Sequence, residues 1–155
     1  MKGNAKVIEK LNALLAEELT AINQYMVHSE MCDNWGYKRL HTAIEKRAID
    51  EMKHAEKLIG RILFLEGSPT VSKLNAITIG PDVAAQMKND LHGEHDAAQS
   101  YNEGIRLVME LGDNGSREIL DSILKDEEAH IDWLEAQLDQ IKQIGIQNYL
   151  VEQID

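Results

Sequence analysis

The chain has 155 residues, 43% of them apolar and 28% charged, with 27 acidic against 16 basic side chains and a formal charge of −11; this is the balance of one domain, 1–155, long enough to bury a core. Its single Cys, Cys32, excludes an internal disulfide framework, and with no CxxC or CxxCH the sequence argues against thiolate zinc and covalently attached haem. The start lacks a signal-type run, and nothing later reaches the roughly eighteen apolar residues of a span, so the expectation is a soluble, cytoplasmic chain whose acidic surface repels nucleic acid and attracts cations.

The first predicted helix covers about 5–34, with Asn4 as its N-cap. Its stripe of Leu11, Leu15, Ile22 and Tyr25 advances in steps of four and three, and Glu18 fills the missing step. The second helix, about 36–66, ends before Gly67 and runs Leu40, Ile44, Ala48, Ala55, Leu58, Ile62, Leu65, with Glu51 in the gap and His54 one turn further on. Gly67 to Pro81, which holds Pro69 and Gly80, has no helical period and is long enough to cross the molecule. The third helix, about 83–111 after Asp82, runs Met87, Leu91, Ala98, Tyr101, Ile105, Val108 and is interrupted by Glu94. The fourth, about 116–144 and ending at Gly145, runs Leu120, Ile123, Leu134, Leu138, Ile141 and is interrupted by Glu127 and His130. A short fifth helix is expected over 147–153. Brief connections at 34–36 and 112–115 imply antiparallel neighbours. Two such hairpins joined by one long crossover make an all-α, ferritin-like four-helix bundle with a short fifth C-terminal helix.

An internal repeat sharpens the pattern. A shift of 76 positions places Glu18 on Glu94, Tyr25 on Tyr101, Asp50 on Asp126, Glu51 on Glu127 and His54 on His130. The two hairpins are thus approximate copies, each with one DExxH motif, DEMKH and DEEAH, and the site they build is expected to be two-fold symmetric.

One Glu on an apolar stripe is ordinarily an edge residue reaching water, and a lone ExxH is common in helices. Six such residues at one depth, repeated at one offset, are a different matter. Four facing carboxylates cannot all stay ionised away from water without positive charge between them. Only Arg47, one turn before Glu51, lies near. Two divalent cations balance four carboxylates, and neutral imidazole adds a donor without charge. This oxygen and nitrogen set suits iron or manganese better than calcium. It matches the established di-iron carboxylate pattern of ferritin-like bundles. The symmetric reading makes Glu51 and Glu127 bridges, with Glu18 and His54 at one iron and Glu94 and His130 at the other. Asp50 and Asp126 are expected to orient the His of the opposite half. Tyr25 and Tyr101 read as core tyrosines with satisfied hydroxyls, the alternative being a redox role or a place behind the ligands. Glu9, Glu17, Asp121 and Glu135 read as solvated helix faces.

With its two DExxH motifs, EMKHAEKLIGRILFLEG in the second helix, DEEAHIDWLE in the fourth and QNYLVEQI near the end, the chain resembles the bacterioferritin family along essentially its whole length. The resemblance implies a ferroxidase that oxidises Fe(II) with O2 or H2O2 at the di-iron centre. It further implies a cage of twenty-four identical subunits that stores the ferric mineral, and a small ferredoxin as reductant. It also implies a b-type haem shared by two subunits across a two-fold axis, with Met52 of each as axial ligand. From helix geometry alone, Met52 lies roughly 100° from Glu51 and joins Ile49, Ile59 and Leu63 in a second apolar patch, which by itself means subunit packing. Met31 is a competitor by residue type only.

Some members of that family carry a His at position 46 that works with Asp50 on the inner surface, whereas this chain has Lys46. His28, His41, His92 and His95 lie off the Glu stripes and read as surface or interface residues. Two other functions share the bundle: a rubrerythrin-like di-iron peroxidase or oxygenase, which ordinarily needs a Cys-rich electron module, and a non-catalytic helical assembly protein.

Overall fold

Asn4 turns the chain into its first helix by accepting the Lys6 amide at 2.8 Å on its side-chain oxygen, which satisfies a donor that the first helical turn leaves free. The computed structural model, which describes residues 1–155, contains five helices: α1 (Ala5–Asn34), α2 (Lys38–Phe64), α3 (Val83–Glu110), α4 (Asn114–Ile144) and α5 (Ile146–Val151). α2 starts later than the sequence pattern suggests because Gly36, at φ 85°, turns the chain between the first two helices. α4 starts earlier, at Asn114, because Asp113 caps it. The Asp113 carboxylate accepts from the Ser116 amide at 3.0 Å and the Ser116 hydroxyl at 2.7 Å. Arg61 of α2 donates to it at 2.8 Å and ties the two hairpins together at that end.

α1 pairs with α2 and α3 with α4, and the hairpins meet through α1 with α3 and α2 with α4. The apolar core falls into two parts. One holds Leu11, Leu14, Leu15, Leu58, Ile62 and Leu120, and the other holds Tyr25, Leu40, Ile44, Met87, Leu134 and Tyr149. Each such side chain stabilises the fold by about 1.5–3 kcal/mol through burial. On every long helix the carboxylate at 18, 51, 94 or 127 falls between a residue of the first cluster and one of the second. The site is therefore clamped between two dry layers.

The crossover runs along α1 and is held by polar rungs on that helix. Thr70 donates its amide to Asn12 at 2.8 Å, Asn75 to Thr20 at 2.8 Å, Thr78 to Gln24 at 3.1 Å, and Gly80 to the His28 Nε2 at 3.0 Å. Gly80 is required there, since a Cβ would lie 2.3 Å from the Gln86 nitrogen. α5 docks through Tyr149, which is buried and donates its hydroxyl to Gln137 at 2.6 Å. No helix is long and apolar enough to cross a membrane.

Candidate metal centre

Helical periodicity puts Glu18, Glu51, Glu94 and Glu127 on the inner faces of four different helices, and all four are buried to 3% exposure or less. His54 and His130, one turn beyond the Glu residues of α2 and α4, face inward beside them, each 2% exposed. The ligand atoms form two overlapping sets, Glu18, Glu51, His54 and Glu127, and Glu51, Glu94, Glu127 and His130, in each of which all atoms lie within 4.8 Å of one another. Glu51 and Glu127 belong to both.

Within the first set the His54 Nδ1 is 2.9 Å from Glu127, 3.6 Å from Glu18 and 3.8 Å from Glu51. Within the second the His130 Nδ1 is 3.1 Å from Glu51, 3.4 Å from Glu94 and 3.8 Å from Glu127. None of these approaches is aligned as a hydrogen bond. Glu18 Oε2, Glu51 Oε1, Glu94 Oε2, both oxygens of Glu127 and both Nδ1 atoms are buried without a hydrogen-bond partner. A native interior rarely leaves so many polar atoms unmatched in one place. Lone pairs of oxygen and nitrogen converging on two common points are what a pair of divalent cations satisfies, so the residues present fit that group.

The supports follow the same two-fold logic. His54 Nε2 lies 2.9 Å from Asp126 and His130 Nε2 lies 3.4 Å from Asp50, each Asp coming from the opposite hairpin. Tyr101 donates its hydroxyl to Glu18 at 2.5 Å, and Tyr25 donates to Glu94. Among these supports the symmetry is broken at Asp50, where the Lys46 ammonium sits 3.2 Å away and the Arg47 guanidinium 4.0 Å away. Arg47 also lies over the Trp133 ring at 5.2 Å, which accounts for its burial.

Electrostatics at the bare site are those of a cluster short of positive charge. Burial, with the nearby charges of Glu18 and Glu127, pushes the Glu51 carboxyl well above the usual range. Burial does the same to Glu94, with Glu127 adding to it. Burial alone would deprotonate the imidazoles, yet contact with Glu127, Glu51 and Glu94 raises His130 to about 12, and Glu127, Glu18 and Glu51 raise His54 likewise. Glu127, although buried, is held below its ordinary value by Glu94 and the two imidazoles. Protons thus occupy the place that cations would take.

Several side chains lie elsewhere than the sequence pattern suggests. His28 is not on the surface: it is fully buried, with Nδ1 2.9 Å from Asp90 and Nε2 accepting from Gly80, because the crossover covers that face of α1. Glu17 is not a solvated residue either. Its carboxylate is half-buried under the crossover, accepts the Ser100 hydroxyl at 2.7 Å, and is raised by burial to about 7. Ile59 turns partly into the core and leaves the outer patch on α2 to Ile49, Met52 and Leu63, which are 42%, 46% and 58% exposed. His92 and His95 are exposed as expected, and His41 donates from Nδ1 to the Ser29 carbonyl at 3.0 Å.

The ferritin-like domain family matches residues 8–144 of the chain. Among curated relatives, a bacterioferritin of Brucella melitensis is 46% identical over 149 residues, covering 96% of this chain and 92% of its own length. One of Rhodobacter capsulatus is 45% identical with the same coverage. One of Mycobacterium tuberculosis is 40% identical over 96% of this chain and 94% of its own length.

Proposed function

The chain belongs to the bacterioferritins, within the ferritin-like family, and from that premise we propose that it stores iron by oxidising Fe(II) at the six-ligand centre. The observation that carries this reading is the pair of overlapping ligand sets whose buried oxygens and nitrogens have no partner within the chain. Iron is the substrate: one Fe(II) is taken by Glu18 and His54, the other by Glu94 and His130, and Glu51 and Glu127 are shared. Each Fe(II) gives up one electron. A pair therefore supplies the two electrons that, with two protons, reduce O2 to H2O2, or reduce H2O2 to two waters.

The protein's part is positional. Asp126 and Asp50 hold the outer nitrogens of His54 and His130 and so keep both Nδ1 lone pairs on the metal side. Tyr101 and Tyr25 each fix one oxygen of Glu18 and Glu94 and leave the other free. The two apolar clusters above and below keep the ligand geometry rigid.

As in the relatives' family, the chain would assemble into a hollow cage of twenty-four copies, as a single-domain cytoplasmic protein. A b-type haem would be held by Met52 from each of two subunits. The exposed thioether of Met52 on the apolar patch with Ile49 and Leu63 fits that group. When bound, it would supply one-electron transfer, fed by a small ferredoxin.

Anaerobic titration is expected to show two Fe(II) bound per chain, with rapid oxidation once air is admitted. Glu18→Ala and Glu127→Ala should each abolish the fast phase. Undiminished oxidation in both variants would overturn the assignment.

A further inference from the structure

A third set of metal-ligating side chains lies well away from the six-ligand centre. Glu30, near the end of α1, and His41 and Glu45, on the first turns of α2, each bring one ligand atom within 4.8 Å of the other two. His41 precedes Glu51 by ten residues, which puts the set about 15 Å along the helix axis from the centre. His41 and Glu45, spaced i and i+4, share one face of α2, and Glu30 reaches them from the other helix of the hairpin.

The imidazole separates this set from an ordinary solvated acidic patch. His41 Nδ1 donates to the Ser29 carbonyl at 3.0 Å, a bond to the backbone of α1 that fixes both ring and tautomer and leaves Nε2 with its lone pair. That nitrogen faces Glu45 Oε2 at 3.6 Å, too far for a hydrogen bond. A ligating His ordinarily has its second nitrogen held in this way, by a backbone carbonyl or a carboxylate. Counter-charge is missing as well. The Lys and Arg ion pairs of the chain go to Glu103, Asp50, Asp113 and Asp121, and none reaches Glu30 or Glu45. The other surface pairs of this kind are built differently: His92 with Asp96 at 3.4 Å and His95 with Glu135 at 3.8 Å are more than half exposed and have no third ligand.

We propose that Glu30, His41 and Glu45 bind a divalent transition ion of the zinc type, separate from the iron centre, and that the ion ties the end of α1 to the start of α2. Calcium and magnesium take oxygen ligands, whereas one nitrogen with two carboxylate oxygens suits zinc, at about 2.0–2.2 Å from each. Three protein ligands leave a fourth position to water. Glu30 also edges an open groove with Met26, Val27, Met31 and Asn34, which gives that water room. The two carboxylates and the dication cancel in charge, and the site needs nothing from the six ligands described above.

The test is a calorimetric titration of the metal-free, assembled protein with Zn(II). Glu30→Gln and His41→Gln are each expected to bind one Zn(II) per chain fewer than the parent. His92→Gln, which removes an exposed imidazole elsewhere, should match the parent. Glu127→Ala, which damages the iron centre, should keep the equivalent that His41→Gln lacks, and combining the two substitutions should remove it. Crystals of the Zn(II)-loaded parent should show anomalous density at the zinc edge beside His41 Nε2. Equal stoichiometry in the parent, Glu30→Gln and His41→Gln overturns the site, even if crystals show zinc there at high concentration. A protein that keeps this equivalent yet takes up no Fe(II) at the six ligands would leave the site standing and overturn the iron reading instead.

Discussion

His54 Nδ1 and Glu127 Oε1 approach to 2.9 Å deep in the bundle, yet neither atom has a hydrogen-bond partner. Close approach without alignment is what two ligands of one cation look like when protons hold the site together. The carboxyls of Glu51 and Glu94 and the imidazoles of His54 and His130 are all raised, so the cluster as a whole holds about four protons near neutral pH. Two dications bring four positive charges and displace those four protons. Anaerobic Fe(II) loading in weak buffer near pH 7 is therefore expected to release about two protons per iron, measurable with an indicator dye. Since each group keeps its proton more firmly as pH falls, apparent affinity should drop by up to roughly a hundredfold per unit of acidification. Loading without proton release would contradict this charge balance.

Asp113 joins the start of α4 to Arg61 of α2, and its acidity follows from that position. Burial pushes its carboxyl up, but the Ser116 hydroxyl and amide and the Arg61 guanidinium outweigh burial and hold it below the ordinary value. A depressed folded-state pKa means stability that is present above the unfolded pKa and lost as pH falls through the folded one. Asp113→Ala should cost about 1–2 kcal/mol at neutral pH, the ordinary worth of a cap. The gap in melting temperature between variant and parent should narrow as the medium is acidified below about pH 4. A gap constant from pH 7 to pH 3 would remove the ionised carboxylate from the explanation.

The four long helices and the six ligands were legible in the sequence because both are recorded by one period. A Glu that replaces Leu at a core step stands out against Leu15 or Leu58, and Asn4 and Asp82 mark two helix starts by their capping chemistry. His28 and Glu17 were not legible for the same physical reason. What buries them is the crossover, which contacts α1 through hydrogen bonds rather than apolar packing and so leaves no hydrophobic stripe. The row Thr20, Gln24, His28, spaced by four, was the available sign: three polar residues on one helical face that each find a crossover amide. Asp113 was masked by the Asn114–Gly115 pair, which reads as a turn but lies inside α4.

The buried pair of His28 and Asp90 yields a prediction of its own. His28→Leu would leave the Asp90 carboxylate buried with only the Gln24 amide, and would take the acceptor from the Gly80 nitrogen. Losing one partner of a buried polar pair costs on the order of 3 kcal/mol. The expected result is a lower melting temperature together with faster hydrogen exchange at the amides of Asn75 to Gly80, because that stretch hangs on the rungs of α1. Unchanged exchange there would show that the crossover is held by something other than these hydrogen bonds.

Met52 offers the cleanest separation of haem from iron. It is one residue from Glu51 in sequence but on another face of α2, half-exposed while Glu51 is buried. Met52→Leu keeps the apolar volume of the patch and removes the sulfur lone pairs. The variant is expected to assemble, bind two Fe(II) per chain and oxidise them at the parental rate, while losing the visible spectrum of b-type haem. In the parent, a haem shared across an isologous two-fold contact limits occupancy to about one per two chains. A haem spectrum retained in Met52→Leu would remove Met52 as the ligand. Lost oxidation would mean that the two faces of α2 are coupled through the helix rather than independent.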